Sequence, residues 1–412
     1  MTSYPPVGDP RSCVPPDRPR PDPPPLAQSP AVAALTRDPS RLPEFWADVV
    51  RAGTPLIEPD PVDPGHVIVT FLWRGRAGEV LVLANKLTDR FDLAASRMRR
   101  LDGADLWWLS YRLPRGWRGS YHFAVRASAG HGFGWVRSSL RPDPHNDRVL
   151  PRDHGPPASI AETVALTGGR PWQARPGVPT GMLTVGDVPS ARLAGARRVW
   201  RYVPAASGPY RTLVLLDGQI WGPLLPVAPL LDNLIADGAL PPVVVLMPDS
   251  GEGPGRAGDY ACRDAFADFL ADEVISAAGL PLVGGPDGTV VAGQSLGGLA
   301  AAHAALRRPD RFGAVLTHSG AYWWPNAEGA EPQWLAEEIR RRRRAPLRWD
   351  LSVGQNEWIS LTPHRRLRDA LIDAGHRVHY EEYPGGHDRA CWRELLGPAL
   401  ARVFGDGPGL GV

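Results

Sequence analysis

The sequence predicts two folds in series: a small all-β sandwich, then an α/β unit built on a mostly parallel sheet with helices on both faces. Three observations carry this prediction. Short β-rich runs with period-two patterning fill residues 66–125, and strand and helix patterns alternate after Arg198. Between them, Val290 through Ala300 passes from an apolar β-branched run, through Gly293-Gln294-Ser295-Leu296-Gly297, into an alanine-rich helix. Regular strand–helix alternation gives a parallel sheet because each crossover helix lies back on the sheet it leaves, whereas short strands divided by turns give a sandwich.

At 412 residues the chain exceeds the usual size of one core, so two domains are expected, and 43% hydrophobic residues suffice to pack them. No run of about 18 apolar residues is present, so no membrane span is expected. The N-terminus carries Asp and Arg where an export signal needs an apolar stretch, and the expected location is therefore the cytoplasm. A net charge of +2 gives no case for nucleic-acid binding. Lys86 is the only lysine, so nearly all positive charge is arginine, whose planar donors suit anionic ligands. Cys13, Cys262 and Cys391 fit neither a disulfide framework nor a metal motif; they read as reduced, and no metal site is expected.

Eleven prolines in the first thirty residues make residues 1–37 read as a disordered or polyproline-like arm, because such a segment buries too little apolar surface to offset its ordering entropy. Residues 38–150 form the expected sandwich domain. It opens with a capped helix near 38–52, docked by Phe45 and Trp46, and continues with strands at His66–Trp73, Val80–Leu83, Asp105–Tyr111 and Tyr121–Val125. Residues 151–190 are dense in Pro, Gly, Asp and Arg and read as a linker or a segment wrapping between domains. Residues 191–412 form the α/β domain. Its strand candidates are Arg198–Val203, Thr212–Leu216, Val243–Met247, Thr289–Ala292, Ala314–Thr317, Leu347–Val353 and Val378–Tyr383, with helices near 261–277, 296–307, 361–374 and 388–402.

A strand, a Gly-x-Ser-x-Gly turn and a helix are the mounting of a nucleophilic serine, which places Ser295 at the sheet's carboxyl edge. A serine hydroxyl needs a base, and in doubly wound hydrolases the triad runs in the order Ser, acid, His. His387, in Tyr383-Pro384-Gly385-Gly386-His387-Asp388 after the last strand, is the expected base. His376 and His379 read as structural, and His364 as a solvated helix residue. Glu357 is the only carboxylate in the loop after the penultimate strand and is the expected acid. The oxyanion needs N–H donors: Leu296, following the nucleophile, supplies one, and Gln219, after the strand ending in Asp217-Gly218, is the candidate for the second. The fold expected from these parts is an α/β-hydrolase catalytic domain behind the β-sandwich.

Several segments together resemble the enterochelin esterase family, ferric-siderophore esterases of the esterase-D-like branch of the α/β-hydrolases. They are Arg198-Val199-Trp200-Arg201-Tyr202-Val203-Pro204, Leu215 through Trp221, Gly293 through Gly298, Ser319-Gly320-Ala321-Tyr322-Trp323-Trp324 and the Glu357 and His387 loops. In the first half, Val69-Thr70-Phe71-Leu72-Trp73-Arg74, Leu106-Trp107 and Trp117 through Phe123 look like that family's N-terminal domain, and the resemblance spans roughly residues 40–405. Arg256-Ala257-Gly258-Asp259-Tyr260 departs from the family's usual Arg followed by Glu-Leu. The resemblance implies hydrolysis of a serine-derived lactone bearing catecholate arms, with no cofactor of the enzyme's own, since iron arrives in the substrate. A trianionic, aromatic complex calls for arginine and tryptophan, which makes Trp221, Arg256, Trp323 and Trp324 candidate substrate contacts. Core packing for the tryptophans and a salt bridge for Arg256 stand as alternative readings. Arg340 through Arg344 read as a solvated helix face. A feruloyl or carbohydrate esterase, a sugar acyltransferase and a non-catalytic ferric-siderophore binder are the competing functions.

Overall fold

The computed structural model describes residues 13–128, 130, 132–163, 171–193, 195–251, 253–326, 333–341 and 346–405. Nine strands precede the catalytic half: β1 (Leu56–Pro59), β2 (His66–Arg74), β3 (Glu79–Ala84), β4 (Arg99–Arg100), β5 (Leu106–Pro114), β6 (Arg118–Arg126), β7 (Leu140–Arg141), β8 (Val149–Leu150) and β9 (Ala158–Glu162). They make two antiparallel sheets, one in the order β1-β2-β5-β4 and the other β3-β6-β9-β8 with β7 on β6. Val67, Val69, Phe71 and Tyr111 of the first sheet share one core with Val80, Val82, Tyr121 and Phe123 of the second, so the period-two runs close into a sandwich.

Two helices lead into it, α1 (Pro30–Arg37) and α2 (Leu42–Ala52), burying Val32, Leu35, Trp46 and Val49. This corrects the expectation of a disordered arm for the described residues 13–37; residues 1–12 lie outside them. Proline cannot donate, but its neighbours can. The Ala27 N–H donates to the Ser110 carbonyl and the Arg112 N–H to that of Pro25, which seats the arm along β5. Ser29 then caps α1, which starts on a proline whose fixed φ suits the first helical turn. The expected linker is also shorter than 151–190. Ala158–Glu162 is β9, paired with β6, and Met182–Ser190 is β10, which pairs with β11 (Gly195–Val203).

The eight-stranded sheet runs β10-β11-β13-β12-β14-β15-β16-β17, with β12 (Arg211–Leu215), β13 (Val243–Pro248), β14 (Thr289–Gln294), β15 (Ala314–His318), β16 (Arg348–Gly354) and β17 (Arg377–Tyr383). From β13 to β17 every pairing is parallel, while β10 and β11 are antiparallel additions. On β14, Val291 faces one core with α6 (Leu296–Arg307), whereas Val290 and Ala292 face the other with α3 (Ala228–Ala236) and α9 (Arg389–Phe404). Both faces are dry, which is why the strands read as continuous apolar runs. The helix expected over 261–277 is interrupted. Between α4 (Gly253–Tyr260) and α5 (Asp264–Asp268), Cys262 takes φ 54°, and Phe269–Val274 widens into a π turn. α7 (Trp334–Arg341) and α8 (Leu361–Asp373) complete the set; Arg342 to Arg344 of the arginine run lie outside the described residues.

Candidate active site

Ser295 follows β14 and caps α6 with φ 56° and ψ −125°, a conformation that costs an L-residue about 1–3 kcal/mol and persists only where the surroundings impose it. They do so here by close packing. A Cβ on Gly293 would lie 2.3 Å from the Gly297 carbonyl, so the turn closes only on glycine. The Ser295 N–H donates to the His318 carbonyl and its own carbonyl accepts from Ala321, which fixes the elbow at the carboxyl edge.

His387 follows β17 on a loop that enters α9, and its Nε2 lies 3.0 Å from Ser295 Oγ. Its Nδ1 lies 2.7 Å from Glu357 Oε2. Glu357 is buried, and burial by itself would raise its pKa. The neighbouring His387, the Ser319 hydroxyl at 2.6 Å and the Gly354 N–H at 2.9 Å outweigh that and hold it at about 2. An ionised carboxylate only accepts, so Nδ1 carries the proton and Nε2 is left to accept from the serine. The sequence reading placed no role on Ser319, Trp392 or Tyr383, which surround this acid. Trp392 Nε1 donates to Ser319 Oγ, and the Tyr383 hydroxyl lies 2.9 Å from the same oxygen. Trp392 also meets the His387 ring edge-on at 4.8 Å. No local motif marks these residues; they converge only once β15, β17 and α9 are assembled.

The Leu296 N–H is the first amide of α6, a position with no intrahelical acceptor. Gln219 precedes the π turn Ile220–Leu224, and its side chain is pinned to Ser250 by donation from Nε2 at 2.6 Å. Gln219, Ser295 and His387 open onto one cleft of about 1200 Å³.

Of the candidate contacts, Arg256 lines this cleft, whereas Trp221, beneath it, is buried in the core beside Trp172, with its Nε1 donating to Gln294 Oε1 at 2.9 Å. Arg256 is already engaged: it holds Asp217 through two contacts of 2.9 Å and stacks over Tyr260. Burial opposes its charge, and Asp217 keeps it protonated. Trp323 and Trp324 require correction. Both are buried in the core with Leu335 and Ile339, and Trp324 packs edge-on against Trp334 at 5.7 Å, away from the cleft. His364 is likewise no surface residue; it is wholly buried against the Tyr322 ring.

The cleft lies between the two domains, its far wall formed by Asn85, Lys86, His122, Arg152 and His154. Among the described residues, the side chains of Arg152 and Arg198 have no ion-pair partner, while Arg389 is paired with Asp153. No His, Cys, Asp or Glu cluster among the described residues could hold a metal ion.

An α/β-hydrolase sheet with this elbow defines the class, a carboxylic ester hydrolase. The putative esterase family model matches residues 190–403, and the model of the N-terminal domain of enterochelin esterase matches residues 68–166. The chain is 36% identical to the iron(III) enterobactin esterase of Dickeya dadantii, over 88% of this chain and 93% of that protein. It is 28% identical to the iron(III) salmochelin esterase of Escherichia coli, over 87% and 92%. Among solved structures, the ferric enterobactin esterase of Salmonella typhimurium superposes with a TM-score of 0.76 at 29% identity, covering 88% of this chain and 98% of that one. The Shigella flexneri enterobactin esterase, determined in the presence of enterobactin, gives 0.72 at 28%, over 87% and 97%. The chain belongs to the enterochelin esterase family.

Proposed function

We propose that this enzyme cleaves the ester bonds of a ferric catecholate trilactone through Ser295, His387 and Glu357. The observation that carries the reading is the hydrogen-bonded series from Ser295 Oγ through His387 to Glu357, opening onto a cleft large enough for a bulky complex. As Ser295 Oγ bonds to the ester carbonyl carbon, its proton passes to His387 Nε2, and the resulting imidazolium is stabilised by Glu357. The carbonyl π electrons move onto oxygen, where the N–H groups of Leu296 and Gln219 receive the charge. Collapse breaks the bond to the alcohol oxygen, which takes the proton from His387 and leaves an acyl-enzyme. Water then repeats the sequence, and the freed carboxylate departs.

The names of the relatives support the substrate class, and the cleft's chemistry agrees with it. Lys86, Arg152 and Arg198 supply cations, and Trp200 and Trp392 supply aromatic surface. The iron belongs to the substrate, and the reaction needs no cofactor of the enzyme. Among the described residues no helix is long and apolar enough to cross a membrane, and we place the reaction in the cytoplasm. Product analysis by mass spectrometry on iron-loaded and iron-free tricatecholate lactones tests the reading. Wild type is expected to give linear and monomeric acyl-serines and Ser295→Ala none; comparable turnover by Ser295→Ala would overturn it.

A further inference from the structure

The loop that carries His387 is held from outside its own domain. Along β6, the Arg118 N–H donates to the Pro384 carbonyl at 3.2 Å and the Ser120 N–H to Asp388 Oδ2 at 2.5 Å, while Cys391 Sγ donates to the Arg118 carbonyl. Between these contacts, Asn85 Nδ2 donates to the carbonyl of His387 itself at 2.9 Å. The fit is close: a Cβ on Gly386 would lie 2.5 Å from Asn85 Oδ1 and 2.6 Å from Lys86 Cγ. The acid loop is reached from the same side, by Trp117 Nε1 donating to Asn356 Oδ1, and it is tied to the base loop where the Asn356 N–H donates to the Gly385 carbonyl.

Asn85 can hold a position because its own is fixed. Its N–H donates to the Ser120 carbonyl on β6, and the turn is closed by the Leu87 and Thr88 N–H groups on the Ala84 carbonyl. Lys86 takes φ 58° in that turn, and from the arm the Arg20 guanidinium donates to the Lys86 carbonyl at 2.6 Å. A side chain set by this many backbone contacts restrains the 387–388 peptide, and that peptide sets where the imidazole stands relative to Ser295.

We propose that Asn85, on the β-sandwich, is a positioning residue for the catalytic histidine, so that the N-terminal domain belongs to the acyl-transfer machinery and is more than a wall of the cleft. The inference rests on the triad reading above. It follows that esters far too small to span the cleft still depend on residue 85.

The test uses the full-length enzyme and p-nitrophenyl acetate, with active sites counted by fluorophosphonate titration so that unfolded protein does not enter the rate. Asn85→Ala removes the donor, and Asn85→Leu removes it while keeping the branched shape. Both are expected to lower kcat per titrated site on the order of tenfold to a hundredfold, as for a reacting group displaced by a fraction of an ångström to one ångström, with KM for this small ester within about twofold of wild type. Wild-type kcat on p-nitrophenyl acetate in both variants, with only the KM for the ferric lactone raised, would overturn the proposal and make Asn85 a substrate contact. So would wild-type kcat in Asn85→Leu alone, which would reduce the role to packing. Ser295→Ala is the control. Persistence of wild-type-like p-nitrophenyl acetate hydrolysis in it would overturn the triad reading itself, before any change at residue 85.

Discussion

At the scale of single residues, the candidate triad was legible because a motif fixes the serine and chain order restricts the rest: one carboxylate and one histidine stand in the right loops. Its supporting shell was not, since Ser319 and Glu357 meet across 38 residues and Ser319 and Trp392 across 73. Removing the charge of Glu357 while keeping its shape isolates its part. Glu357→Gln is expected to lower kcat on the order of 10³–10⁴-fold, with substrate affinity retained, as measured by steady-state kinetics on any ester turned over. Because Glu357 stays ionised down to about pH 2, its own protonation does not set the acid limb of the rate profile above that pH. Stability answers to other groups. Burial lowers His364 to about 4 and His318 to about 3, from 6.5. Between those values and 6.5 the unfolded chain binds the extra proton, so stability is full above about 6.5 and is lost as pH falls towards 4 and 3. The melting temperature should therefore fall from pH 7 to pH 5, and His364→Phe should make that fall shallower. An unchanged slope in the variant would show that another group governs it.

At the scale of elements, period and punctuation located the strands of the parallel sheet, because strands buried on both faces write themselves as apolar runs between turns. They could not place β10, whose residues are largely exposed and which owes its existence to pairing with β11. Nor could they see the break at Cys262, where the helical pattern of residues 261–277 continues across a left-handed residue. The elbow is the element where sequence and geometry agree most tightly, and the agreement rests on contact distance. Gly293→Ala places a methyl 2.3 Å from the Gly297 carbonyl. Relief requires moving either the end of β14 or the first turn of α6, so the variant should lose at least about 1–3 kcal/mol of stability. Because that shift carries Ser295 away from His387, esterase activity should fall further than the melting temperature accounts for. Calorimetry alongside fluorophosphonate labelling rates separates the two effects.

At the scale of the whole molecule, the domain contacts join residues hundreds of positions apart: Asn85 meets His387 across 302 residues, and the Val14 carbonyl accepts from Asn326 across 312. Composition describes segments one at a time, so a proline-rich arm reads as unable to order itself even though a finished surface orders it. The cleft is a product of the same long-range assembly. It gathers Lys86 and Arg152 from the sandwich side and Arg198 from the α/β side, and Arg152 and Arg198 are exposed at its margin. Exposed charges act over about 10 Å at 0.1 M salt and about 3 Å at 1 M, so their pull on a trianion is strongest in dilute buffer. Raising salt over that range should lower kcat/KM for a ferric tricatecholate on the order of tenfold, through association and not through kcat, while hydrolysis of the neutral p-nitrophenyl acetate stays level. In the Arg152→Ala/Arg198→Ala double variant the ferric substrate should start from a higher KM and show a much flatter salt dependence, with the small ester again unaffected. A ferric substrate whose kcat/KM ignores salt in the wild type would mean that these cations do not steer it. Recognition would then have to rest on the aromatic walls formed by Trp200 and Trp392.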